Sequence, residues 1–129
     1  EALDPAVTTH PRIRFLLGDS ASAEMVKQVA TLIPPHRQGG LLLMLDSDHS
    51  AQHVLKELTV WVPQLRAGDY LIVEDTIVNG HPVRPEFGPG PMEAITAYLA
   101  ANPGRLQADD AREAKFGCTF AARGYFKVV

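Results

Sequence analysis

Apolar and polar positions recur along this chain in two rhythms, one of period two or continuous, the other helical, and the two take turns. Residues 12–17 (RIRFLL) read as a strand closed by Gly18. Ser20 or Ser22 then caps a helix whose apolar positions Met25, Val29, Leu32 and Ile33 fall at i, i+4, i+7 and i+8, until Pro34 and Pro35 end it. Residues 41–45 (LLLML) are apolar at every position, as a strand buried on both faces would be. After Ser50 the helical spacing returns in Val54, Leu58, Trp61, Val62 and Leu65 and runs towards Arg66. Pro63 tightens the last turn of that helix, and Gly68 stands where a left-handed cap belongs.

Residues 70–73 (YLIV) form a third strand, which ends in Glu74 and Asp75. Residues 76–90 are rich in Gly and Pro and form a long loop, of the kind that serves as a lid or binding loop. Pro91 opens a helix carrying Ala94, Ile95, Tyr98 and Leu99, and Asn102, Pro103 and Gly104 stop it. The tail offers strands at 115–120 and 124–129, joined by a turn at 121–123 into an antiparallel hairpin. Strands alternating with helices are the pattern of βα units around a mainly parallel sheet, so the expected class is α/β.

Composition narrows the picture. The 129 residues suffice for one domain, here residues 1–129, and not for two. A net charge of −3 gives no basic face for nucleic acid. No apolar run approaches the roughly 20 residues that span a bilayer, and residues 1–9 have no basic start or apolar middle, so no membrane span or leader is expected. The one cysteine, Cys118, is expected to be a small buried residue, forms no internal disulfide and suits a reducing, cytoplasmic setting. Trp61 belongs to a core stripe, while His10, His36 and His81 are expected at the surface.

The chemistry is expected at the strand ends, because open α/β sheets bind ligands beyond the carboxyl ends of their strands. The first strand leads to Gly18-Asp19-Ser20, the second to Asp46-Ser47-Asp48-His49, and the third to Glu74-Asp75. If the latter two are neighbours, Asp46 converges with Glu74 and Asp75. Carboxylates so crowded repel and raise one another's pKa, and a hard divalent cation relieves that repulsion. Oxygen ligands favour Mg²⁺ or Mn²⁺ over Zn²⁺. Asp48 or Ser50 is the expected cap of the following helix.

The segments GDS (18–20), LDSDH (45–49) and GDYLIVEDT (68–76) resemble the cephalosporin hydroxylase family and the rhamnosyl and macrolide O-methyltransferases. Thr119 shortly before Gly124-Tyr125-Phe126 resembles the closing hairpin of that family. The resemblance runs from Pro11 onward. It implies a Rossmann-like class I methyltransferase sheet with helices on both faces, an S-adenosylmethionine cofactor, Mg²⁺ assistance and a small-molecule acceptor with a hydroxyl. It also implies Asp46, Glu74 and Asp75 as metal ligands, with Asp46 beside the cofactor, His49 of the D-x-x-H pattern as general base, and Asp19 and Ser20 at the adenine. His53 is second shell or surface, and Phe87, His81 and Arg84 of the long loop are candidate acceptor contacts.

The chain departs from that family in one respect: the first two βα units, with the glycine-rich turn that holds methionine, are absent from it. A fragment of a longer enzyme is therefore expected, associating with the missing portion or with itself. Two other classes stay open. LLLMLDSDH also resembles the metal-nucleotide motif of GT-A glycosyltransferases, in which Asp46 and Asp48 would hold Mn²⁺. A non-catalytic remnant that only binds a partner is the third reading.

Overall fold

A computed structural model of the chain describes residues 9–129. The stretch from Glu1 to Thr9, read above as lacking a leader, lies outside the described residues except for Thr9. The elements are α1 (Ala23–Leu32), β1 (Leu42–Leu45), α2 (Ala51–Trp61) with a 3₁₀ turn (Val62–Gln64), β2 (Tyr70–Val73), α3 (Pro91–Ala101), β3 (Leu106–Ala108), the single turn α4 (Asp110–Glu113) and β4 (Tyr125–Val128).

The helix starts follow local capping chemistry. Ser22 accepts the Met25 N–H at 3.1 Å, and Ser50 accepts the His53 N–H at 3.4 Å. Regular helix in α2 stops at Trp61 rather than near Arg66, because Pro63 has no N–H and crowds the preceding turn, which closes as 3₁₀. Gly68 then turns with φ +90, as expected of it.

The sheet has the order β1-β2-β4-β3. β1 and β2 are parallel, with Leu42 opposite Tyr70 and Leu45 opposite Val73. β4 runs antiparallel to both β2 and β3. This register puts Leu43, Leu45, Leu71, Val73, Phe126, Val128 and Leu106 on one face. There they join Met25 of α1, Val54, Leu58 and Trp61 of α2, and Ala94, Ile95 and Tyr98 of α3 in a single core. Leu71 and Val73 are fully buried, and each such side chain contributes about 1.5–3 kcal/mol.

The helices are unequally placed, where helices on both faces were expected. α1, α2 and α3 all feed one core, whereas the opposite face leaves Leu42 60% and Met44 50% exposed. Among the described residues, Arg112 of α4 and Phe116, which stacks on Tyr125 at 5.7 Å, approach that side.

Two expected strands are corrected. Residues 12–17 form no strand: β1 is the terminal strand of the sheet, no strand pairs with its outer side among the described residues, and an extended segment without a ladder has no partners for its backbone. Ile13, Phe15, Leu16 and Leu17 stay exposed there. Residues 115–120 form no strand either, because Gly117 turns the backbone at φ +66. The antiparallel partner of β4 at the sheet edge is β3 instead. No helix among the described residues is long and apolar enough to cross a membrane.

Candidate metal centre

Parallel pairing of β1 and β2 brings their carboxyl ends level, and the Glu74 N–H donates to the Leu45 carbonyl at 3.0 Å. Asp46 leaves β1 at that level, and Glu74 and Asp75 leave β2. His49 sits between them, with Nε2 3.3 Å from Asp46 Oδ1 and Nδ1 3.2 Å from Asp75 Oδ2. One ligand atom from each of Asp46, His49 and Asp75 lies within 4.8 Å of the others. Asp75 holds a left-handed backbone, φ 52, a conformation that Asp tolerates better than most side chains and that is common where a loop is shaped around a site.

Glu74 is not part of that close trio, yet it feels it. Burial, reinforced by the Asp46 and Asp75 charges, raises its carboxyl above the usual range. This is the crowding that a hard cation would relieve, and the carboxylate oxygens are the donors that Mg²⁺ or Mn²⁺ takes. Asp48 is turned elsewhere. It accepts the Ser50 N–H at 2.8 Å, and that bond lowers its pKa. Asp48 thus braces the Ser50 cap from the turn before α2, and it stands outside the close group of Asp46, His49 and Asp75.

Asp19 and Ser20 lie in the turn leading to α1. Asp19 Oδ1 accepts the Ala21 N–H at 2.9 Å, which leaves the carboxylate exposed. Ser20 Oγ contacts Ser47, His53 and Glu57 at 3.4, 3.0 and 2.6 Å. Glu57 is 2% exposed and was not anticipated as part of the site. Its signal was present in the sequence: position 57 falls one turn after Val54 and one before Trp61, a charged residue on the core-facing stripe of α2. His53 faces Ser20 and Glu57, with Nε2 3.0 Å from Ser20 Oγ and 3.6 Å from Glu57 Oε1.

Trp61 is buried as expected, and its indole N–H donates to the Ser20 carbonyl at 2.8 Å. Cys118, by contrast, is exposed, because the segment expected to form a strand there turns out into solvent. His81 is exposed as expected, and lies 2.8 Å from Glu93 Oε1, an interaction across the long loop. Arg84 stacks over Phe87 at 5.3 Å.

The loop from residue 76 to 90 leaves directly from Asp75. Thr76 Oγ1 donates to the Phe120 and Ala122 carbonyls at 3.2 and 2.6 Å, fastening the tail beside the acid cluster. Between this loop and the tail opens a cavity of about 690 Å³, walled by Ile77, Pro82 and Val83 on one side and Phe120, Ala122 and Arg123 on the other. Ile77 is two residues from Asp75 in the chain, but Asp46, His49, Glu74 and Asp75 are not among the lining residues.

Residues 2–129 match the family described as Rhamnosyl O-methyltransferase/CmcI. The rhamnosyl O-methyltransferase of Mycobacterium leprae (strain TN) is 47% identical over 123 residues, covering 95% of this chain and 53% of that protein. Those of Mycobacterium bovis (strain BCG / Pasteur 1173P2) and Mycobacterium tuberculosis (strain ATCC 25618 / H37Rv) are each 45% identical over 125 residues, covering 97% of this chain and 51% of the relative. The chain thus spans about half the length of the curated relatives it matches. No solved structure gives a significant match. With nearly every residue matched, the chain belongs to the rhamnosyl O-methyltransferase/CmcI family.

Proposed function

We propose that this chain supplies the metal-side and acceptor-side half of an S-adenosylmethionine-dependent, Mg²⁺-assisted O-methyltransferase that acts on a sugar hydroxyl. The observation that carries the reading is the meeting of Asp46, His49 and Asp75 at the ends of two parallel strands, with Glu74 charge-crowded beside them. The sheet order β1-β2-β4-β3 supports reading these strands as the closing half of a class I methyltransferase sheet. The names of the relatives support a rhamnosyl acceptor.

In this reading Asp46, Glu74 and Asp75 hold the cation, and Asp19 and Ser20 reach the adenine side of the cofactor. The cation would supply Lewis acidity to the acceptor hydroxyl, and S-adenosylmethionine would supply the methyl group. The role of His49 would be to take the hydroxyl proton as the oxygen is methylated. Ile77, Val83 and Phe120 line the cavity between the long loop and the tail, which this reading takes as room for the rest of the acceptor.

The test is transfer of labelled methyl from S-adenosylmethionine to a simple rhamnoside such as methyl α-L-rhamnopyranoside, with Mg²⁺ or with EDTA. Cation-dependent transfer that Glu74→Gln abolishes is the expected result. Transfer indifferent to EDTA, or calorimetry showing neither cation nor cofactor bound, would overturn the reading.

A further inference from the structure

One buried carboxylate joins two loops that the site needs. Glu57 Oε1 receives the Ser20 hydroxyl at 2.6 Å and the Ser47 hydroxyl at 2.8 Å. Ser20 follows Asp19 in the turn before α1, and Ser47 follows Asp46 at the end of β1. His53, one turn before Glu57 on α2, closes the group: its Nε2 lies 3.0 Å from Ser20 Oγ and 3.6 Å from Glu57 Oε1. Trp61, one turn after, holds the same serine by its backbone carbonyl. Three successive turns of α2 therefore grip a single residue of the first loop.

The pattern is a poor stability device. The Glu57 side chain is 2% exposed, and its second oxygen, Oε2, has no hydrogen-bond partner among the described residues. Leaving a buried carboxylate oxygen unpaired is costly, and an apolar residue at a core-facing position of α2 would avoid that cost. What an apolar residue could not do is receive two hydroxyls from different loops on one atom.

We propose that Glu57 is a positioning residue that couples the loop at residues 18–20 to the loop at residues 46–49, so that displacement of one is felt by the other. Resting on the cation reading above, the coupling sets Asp46 by way of Ser47, and ties its placement to the turn that carries Asp19 and Ser20. Neither loop is held in register by sheet pairing at these residues, which makes the shared carboxylate their common reference.

The experiment uses the purified chain, amide hydrogen exchange followed by NMR, and the indole N–H of Trp61, the only tryptophan, as a reporter of Ser20. Ser47→Ala should speed exchange at residues 19–21 about threefold or more, as expected for side chains that share a partner. In a Glu57→Leu background the same substitution should add nothing, while Glu57→Gln, which keeps one acceptor, should retain part of the effect. Mn²⁺ titrations should show affinity weakened roughly tenfold in Glu57→Leu and largely restored in Glu57→Gln.

Exchange at residues 19–21 that ignores Ser47→Ala, or responds to it equally without Glu57, overturns the coupling. So does a Glu57→Leu variant that melts earlier but binds Mn²⁺ as tightly as the parent. Failure of the parent chain to bind any Mn²⁺ sinks the cation reading instead, and the exchange data then decide the role of Glu57 alone.

Discussion

The Nδ1 of His49 lies 3.2 Å from Oδ2 of Asp75, a contact between the first turn after β1 and the first after β2. The other ring nitrogen faces Asp46 at 3.3 Å. The imidazole thus lies between an acid from each strand end, with one ring nitrogen towards each.

Asp75→Asn tests this directly. The left-handed backbone at φ 52 suits Asn as well as Asp, so the variant should fold with a melting temperature close to that of the parent. The loss is chemical: one anionic oxygen fewer for the cation and for His49. Mn²⁺ affinity measured by electron paramagnetic resonance should fall by at least about tenfold. An unchanged affinity would remove Asp75 from the ligand set. Asp75→Ala adds backbone strain, and should lower stability as well as affinity.

Glu93 governs the long loop. Its Oε1 receives the Asn79 amide at 2.9 Å and lies 2.8 Å from His81, while Oε2 receives the Gly90 N–H at 2.7 Å at the start of α3. Burial favours the neutral form, but these donors outweigh it and hold the carboxyl at about 2. A depressed carboxylate adds stability that is complete above its ordinary pKa near 4.5 and disappears as pH falls through about 2. Glu93→Gln should therefore cost about 1 kcal/mol at neutral pH, the usual size of a lost cap, and lessen the acid sensitivity between those limits. Amides of residues 79–90 should exchange faster in the variant. Equal protection in both proteins would show that the loop is held elsewhere.

How much of this could be read from the sequence depended on whether the deciding contacts were local. The β1 and β2 runs, the α2 stripe and the caps at Ser22 and Ser50 were legible because period and cap chemistry act within a few residues. The meeting of Asp46 with Asp75 was legible because adjacent parallel strands carry their end residues to one place. Residues 12–17 misled because an apolar run shows readiness to pair but not the presence of a partner strand. Residues 115–120 misled because Gly117 in a left-handed turn overrode the β propensity of its aromatic neighbours. The partner of Glu57 escaped, because a charge on the core-facing stripe of α2 shows that something must answer it but not that Ser20, 37 residues away, does so; the surface place of His81 was legible, but its contact with Glu93 across the loop was not.

Asp69 provides a test of the scaffold beneath the site. It is 1% exposed and receives the Leu41 N–H at 2.9 Å, the Arg66 N–H at 2.8 Å and the Arg37 guanidinium at 2.7 Å. Burial pushes its carboxyl up, but the Arg37 pairing and the two backbone donors prevail and hold it at about 2. These bonds fix the entrance of β1 against the turn before β2. Asp69→Ala leaves Arg37 and two N–H groups unanswered, and should cost about 3–5 kcal/mol in urea denaturation. A loss below about 1 kcal/mol would mean that water answers those donors as well as the carboxylate does.

Gly124 tests whether the tail and the metal side are one rigid assembly. A Cβ there would stand 2.3 Å from the Val73 carbonyl oxygen and 2.9 Å from that of Ala121, both backbone atoms that cannot swing away. Its own carbonyl meanwhile accepts the Val73 N–H at 2.9 Å, so the clash cannot be relieved without disturbing the end of β2. Gly124→Ala should lose about 1–3 kcal/mol, the range for overpacking in a closed site. Because Glu74 and Asp75 follow Val73 directly, Mn²⁺ affinity should weaken with it. Gly39→Ala is the control: nothing lies within 4 Å of its Cβ position, and its stability should stay within about 0.5 kcal/mol of the parent. If the Gly124 variant loses stability yet binds Mn²⁺ unchanged, the tail supports β2 without setting the acid cluster, and the contact of Thr76 with residues 120 and 122 is the link that does.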